Sequence, residues 1–153
     1  HGYERGSYHN FEKGRQKEYF VKIRHPESTL HTYCVDIIYQ EIKKYTNQIE
    51  KSKTKEPDII FTNKAGEEIA IEIETGFKAK FGSTKKYHNE KFANLKKKYE
   101  NRCYIFLPVK DLKNSYIRHQ LPLLFRLDTQ KFVESQFKGL SNNNIGQNLD
   151  STG

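Results

Sequence analysis

The chain has 153 residues, 27 Lys and Arg against 19 Asp and Glu, a net charge of +8 and a mean hydropathy of −0.91. That length suits one domain, and no apolar run approaches the ~20 residues that a membrane-spanning helix needs. Cys34 and Cys103 form no CxxC pair and sit in apolar segments, which favours buried free thiols in a reducing, cytoplasmic setting.

Hydrophobic residues make up only 35% of the chain, so ten Tyr and ten Phe must supply much of the core. The positive balance favours polyanionic partners such as nucleic acid, or serves solubility alone. Methionine is absent even from position 1, so the chain is expected to be a piece of a longer protein with other domains.

Residues 1–27 are expected to be an arm. Its first eighteen residues are polar and Gly-containing, and a short strand follows at Glu18–Arg24. Pro26 to Thr29 signals a helix start with Ser28 or Thr29 as cap. Leu30, Tyr33, Cys34, Ile37, Ile38, Ile42 and Tyr45 recur at helical spacing, which predicts a helix over Leu30–Tyr45. Thr46–Glu56 reads as a solvated connection that hides a short strand near Tyr45–Ile49.

Pro57–Thr62 and Ile69–Glu74 are predicted as the arms of a hairpin, turning through Asn63–Glu67 with Gly66 free to take positive φ. Thr84–Glu100 is predicted as a helix with a stripe of His88, Phe92, Leu95 and Tyr99, flanked by Lys91 and Lys98. Arg102–Pro108 reads as a strand. Asp111 is expected to cap a helix over Leu112–Gln120, and Leu123–Phe137 has no single pattern. Residues 28–137 are thus expected to form an α/β domain, a mixed sheet flanked by helices, and 138–153 a polar tail.

Three features bear on chemistry. Alternation along Ile69–Glu74 places the isoleucines on one face and Ala70, Glu72 and Glu74 on the other. Asp58 opens the partner arm and falls near that pair. Carboxylates gathered at one sheet edge repel unless a cation lies among them, and oxygen ligands suit Mg²⁺ or Mn²⁺. Glu41 falls within the apolar arc of the first helix, where a carboxylate needs a partner. His31, near the same face, is either a core histidine or part of the same cleft. Each acid also has a plain alternative: a half-exposed strand, a Pro-Asp turn, a core salt bridge.

Pro57-Asp58, a turn, then Ile71-Glu72-Ile73-Glu74 resembles the signature of the PD-(D/E)xK restriction-endonuclease-like superfamily. Glu41 stands in the position of its helix-borne acid. With Thr75-Gly76, Lys91-Phe92 and Tyr99, the string further resembles nuclease-like domains of mobile-element replication-relaxation proteins. The resemblance covers about residues 28–108. It implies a restriction-endonuclease-like core and metal-dependent endonuclease activity on DNA. Asp58, Glu72 and Glu74 would be metal ligands, with Glu41, Asp58, Glu72, Glu74 and Lys91 as the catalytic set. Glu74 departs from the pattern, because the superfamily usually has Lys there. Lys78, Lys80 and Lys91 are the candidate substitutes, Lys91 the preferred one. Lys85, Lys86, Lys91, Lys96, Lys97 and Lys98 are expected to lie along the phosphate backbone, or to form a solvated helix face. A homodimer is compatible with this class of enzyme. The alternative is a DNA-binding or protein-interaction module on the same fold without chemistry.

Overall fold

The computed structural model describes residues 2–22, 28–52, 57–76 and 82–138. Strands β1 (Tyr3–Tyr8) and β2 (Lys17–Lys22) form an antiparallel hairpin. Helix α1 (Thr29–Lys43) follows. Next come β3 (Ile49–Lys51), β4 (Ile59–Thr62) and β5 (Glu68–Ile73), then helix α2 (Gly82–Tyr99) and β6 (Cys103–Leu107). The short helix α3 (Lys113–Tyr116), β7 (Leu123–Phe125) and helix α4 (129–138) complete the order.

The main sheet runs β3-β4-β5-β6-β7. Strands β3, β4 and β5 pair antiparallel; β5, β6 and β7 pair parallel, with α2 crossing between β5 and β6. This is a mixed α/β architecture, as the order of sequence patterns predicts. Strand β5 lies at the centre of the sheet and is covered on both faces, so every residue from Ile69 to Ile73 is buried.

The two faces carry separate cores. Ile69, Ile71 and Ile73 join Ile59, Phe61 and Phe106 against Tyr33, Cys34, Ile38 and Ile42 of α1 and Val133 of α4. Ala70, Cys103, Ile105 and Leu107 pack against Phe92, Leu95 and Tyr99 of α2, with Tyr116 and Leu121. Both cysteines are buried and free, and burial pushes each thiol up to about 12. Helix α1 begins where Ser28 Oγ accepts from His31 N–H at 3.1 Å, the N-cap that its sequence signals.

Several expectations are corrected. The first eighteen residues are not an irregular arm, because most of them belong to the β1–β2 hairpin and its turn. The hairpin also joins the domain core: Phe11 and Val21 lie in the α1 cluster, Tyr8 stacks on Tyr33 at 4.4 Å, and Arg126 Nη1 donates to the carbonyls of Asn10 and Glu12, each at 2.8 Å. Asp111 caps nothing, and the expected 112–120 helix is one α turn between two 3₁₀ turns. It ends at Gln120, whose φ of 57° is left-handed, just before Pro122. Within the unpatterned 123–137 stretch lie β7 and α4. The short strand after α1 is β3, a few residues later than expected. Residues 139–153, the expected tail, lie outside the described residues.

Candidate functional site

The turn between β4 and β5 sets the site. Asn63 Oδ1 accepts from Glu67 N–H at 2.9 Å, Asn63 N–H donates to Glu67 O at 2.9 Å, and Gly66 takes φ +80°. This fixes a register with Ile59 opposite Ile71. One residue further along, Asp58 meets Glu72, and its backbone N–H donates to Glu72 Oε2 at 3.2 Å. Asp58 Oδ2 accepts from Ile73 N–H at 2.8 Å and lies 3.3 Å from His31 Nε2 in the first turn of α1.

Past the end of β5 the pleat continues. Glu74 N–H donates to Phe106 O at 3.0 Å, which keeps its side chain on the Glu72 face. There Lys91 of α2 reaches in. Its ammonium donates to Glu74 Oε1 at 2.6 Å and to Glu72 Oε1 at 3.3 Å. The three side chains are only 5–8% exposed. Tyr116 Oη donates to the other Glu74 oxygen at 3.1 Å. The structure therefore brings together Asp58, Glu72, Glu74 and Lys91, with His31 and Tyr116 around them.

The electrostatics follow from burial. Loss of water around the Glu72 carboxyl pushes it well above the usual carboxylate range; Asp58 and Glu74 push the same way and Lys91 opposes them. The Tyr116 hydroxyl is raised, first by burial and then by Glu74. His119, whose ring lies 4.4 Å from that of Phe92, is lowered to about 4 by burial, then by Arg118, His88 and Lys91.

Three carboxylates face one ammonium, so the site carries excess negative charge when its acids are ionised. Among the described residues, no three Asp, Glu, His or Cys side chains gather as a ready-made metal cage. Lys91 and Tyr116 already hold Glu74. The fit to a metal is thus to the adjacent pair Asp58 and Glu72, a donor set that suits Mg²⁺ or Mn²⁺, which commonly take one or two carboxylates and fill the remainder with water and phosphate oxygen.

Glu41 is placed elsewhere, and the expectation that it stands beside the other acids is corrected. It lies ten residues after His31 along α1, about 15 Å at the helical rise. There it is buried and accepts from Lys44 Nζ at 2.7 Å. It lines a cavity of about 380 Å³ with Asp36, Tyr33, Tyr19 and Phe20. The apolar arc of α1 explains its burial but spans the whole helix, so sharing that arc did not imply sharing a site.

The lysines divide. Lys85, Lys86, Lys97 and Lys98 are exposed on α2, Lys96 donates to Gln120 Oε1 at 2.7 Å, and Lys91 points inward to the acids rather than along the outer face. Glu90 interrupts the exposed basic run. Lys78 and Lys80 lie outside the described residues. No sequence pattern marks Tyr116, because nothing in 112–120 ties that segment to the end of β5. No described helix is long and apolar enough to cross a membrane. Comparisons with protein-family models, curated proteins and solved structures find no match to this chain.

Proposed function

We propose that this chain is a metal-dependent nuclease domain with a restriction-endonuclease-like core, hydrolysing phosphodiester bonds in DNA as part of a larger DNA-processing protein. The observation that carries this reading is the buried Lys91 ammonium between Glu72 and Glu74, with Asp58 opposite Glu72 at the same end of the hairpin. A lysine from α2 thereby supplies the positive group that Glu74 displaces from its usual place on the strand.

Asp58 and Glu72 would hold the ion. Bound Mg²⁺ or Mn²⁺ would supply activation of water and neutralisation of charge developing on the phosphate. His31 and the Ile73 N–H fix one oxygen of Asp58 and so orient its carboxylate. Tyr116 and Lys91 fix both oxygens of Glu74, which would orient the attacking water or accept its proton. Lys91 would help balance the charge of the phosphate. The exposed lysines of α2 provide sequence-independent backbone contacts.

The test is cleavage of plasmid and oligonucleotide DNA with Mg²⁺ or Mn²⁺. Wild type should cut, and Asp58→Ala and Glu72→Ala should not. A wild-type protein that neither cleaves DNA nor binds Mn²⁺ in calorimetry overturns the reading. Two observations favour a second reading, a DNA-binding or protein-interaction module on the same fold without chemistry: Lys91 neutralises much of the acid cluster, and the described residues form no three-ligand group. DNA binding with a steep salt slope and no cleavage would select it.

A further inference from the structure

We propose that the cavity between the β1–β2 hairpin and α1 is a binding site for a small organic cation, an ammonium carried on an apolar body such as an aromatic ring with a short chain. The inference stands apart from the carboxylate site at Asp58 and Glu72 and does not rest on the nuclease reading.

The cavity encloses about 380 Å³, a volume in the range of small-molecule sites. Its apolar lining is Phe11 of the hairpin turn, Tyr19 and Val21 of β2, and Tyr33 and Ile37 of α1. Phe11, Val21 and Tyr33 belong to the core cluster. Tyr33 is held on several sides: Tyr8 stacks on it at 4.4 Å, Tyr19 packs at 4.9 Å, and its hydroxyl donates to His9 O at 3.1 Å. The lining is therefore preformed and loses little freedom when a ligand enters. Glu41 lies one helical turn beyond Ile37 on α1 and adds a carboxylate with a side chain only 10% exposed.

Charge selects the sign of the ligand. Three acids line the cavity, Glu12, Asp36 and Glu41, against one ammonium, Lys44. Lys51 reaches Asp36 at 3.4 Å from outside the lining. Counting both lysines, one carboxylate remains in excess when the acids are ionised, in a chain of net charge +8. Anions are repelled there and cations drawn in. Lys44 bonds Glu41 Oε2 at 2.7 Å, yet the Lys44 side chain is 63% exposed. An ion pair with one partner in water contributes little. A carboxylate in an apolar wall gains more from a cation that is itself withdrawn from water. An ammonium brought in on an apolar body would therefore share Glu41 with Lys44 or replace it, because Lys44 can turn into solvent. The body of the ligand would rest against Tyr19 and Ile37.

Phenethylamine, phenylethanol and phenylpropionate share a ring and a short chain but differ in charge, and they are the probes. Phenethylamine should shift the methyl resonances of Val21 and Ile37 saturably in NMR titration. The alcohol should bind about 10-fold more weakly or worse, and the acid should not bind. Glu41→Gln keeps the shape and should lose on the order of 10- to 100-fold in affinity for the amine. Lys44→Ala, at an exposed position, should bind the amine more tightly than wild type because the competing ammonium is gone. Circular dichroism verifies that both variants are folded. Equal binding of the three probes, shifts confined to the Asp58 and Glu72 region, wild-type affinity in Glu41→Gln, no gain in Lys44→Ala, or no binding of the amine at millimolar concentration would each overturn the proposal.

Discussion

Asp58, the residue before β4, sets its backbone N–H on Glu72 Oε2 at 3.2 Å, one position beyond the Ile59–Ile71 pair. Two carboxyl groups are thus forced together where one of them, Glu72, is almost completely removed from water. Their ionisation is costly unless positive charge is present, and Lys91 supplies part of it.

A divalent cation should supply the remainder. Mn²⁺ at a hundred times its dissociation constant is expected to stabilise the protein by about 2.7 kcal/mol, read as a rise in Tm. Asp58→Asn should lose that rise. A Tm in the mutant that still climbs with Mn²⁺ would show that the ion binds elsewhere.

Lys91→Met should be among the most damaging single changes, because it leaves Glu72 and Glu74 buried without their ammonium. Removing one partner of a buried ion pair costs about 3–5 kcal/mol, measurable by urea unfolding. The triple variant Lys91→Met, Glu72→Gln, Glu74→Gln should recover most of that loss, since neither residue that Lys91 paired with then carries a charge. A triple variant as unstable as Lys91→Met alone would assign the loss to packing.

The raised pKa of Glu72 has a definite sign. A carboxyl that holds its proton more tightly in the folded chain contributes stability that is complete below its usual value of 4.5 and is lost as the pH rises through the folded value. Glu72→Gln is neutral at every pH and escapes that loss. Relative to wild type it should therefore fare better at pH 8 than at pH 5 in urea denaturation. The same difference at both pH values would contradict the assignment.

His119 behaves in the opposite sense. Its pKa falls from 6.5 to about 4 on folding, so its contribution is full above pH 6.5 and is lost as the pH falls toward 4. A His119→Phe variant should show a shallower loss of stability across that interval than wild type, followed by circular dichroism in urea.

Glu41→Gln tests position against resemblance. Glu41 pairs with exposed Lys44, near the far end of α1 from His31. The variant should bind Mn²⁺ as wild type does and cut DNA at the wild-type rate, whereas Asp58→Asn should do neither. A loss of cleavage in Glu41→Gln comparable with that of Asp58→Asn would place Glu41 back in the site.

Where the sequence carried a local physical signal, the elements were legible. Alternating β-branched residues and the Asn63–Glu67 turn give β4, β5 and their register, and register alone brings Asp58 to Glu72. The stripe of His88, Phe92, Leu95 and Tyr99 gives α2 and its buried face. Lys91 is harder to read: it flanks that stripe, and only the crossover from β5 to β6 turns it onto the acids. The β1–β2 hairpin is tied to the core by distant partners such as Tyr33 and Arg126, which its own sequence does not announce. Tyr116 meets Glu74 forty-two positions away, a contact that no local pattern encodes.

The β4–β5 turn brings Asp58 and Glu72 together through a link of only five residues, Asn63 to Glu67. Their counter-ion arrives by a longer route, on an eighteen-residue helix that must dock before Lys91 reaches them. The hairpin is the local contact, and closure of the crossover carries the larger entropic cost. During folding the paired acids are therefore expected to precede their neutralising charge. The docking of α2 should slow when salt or acid weakens the pull of the acids on Lys91, a kinetic signature of an arrangement otherwise visible only at equilibrium.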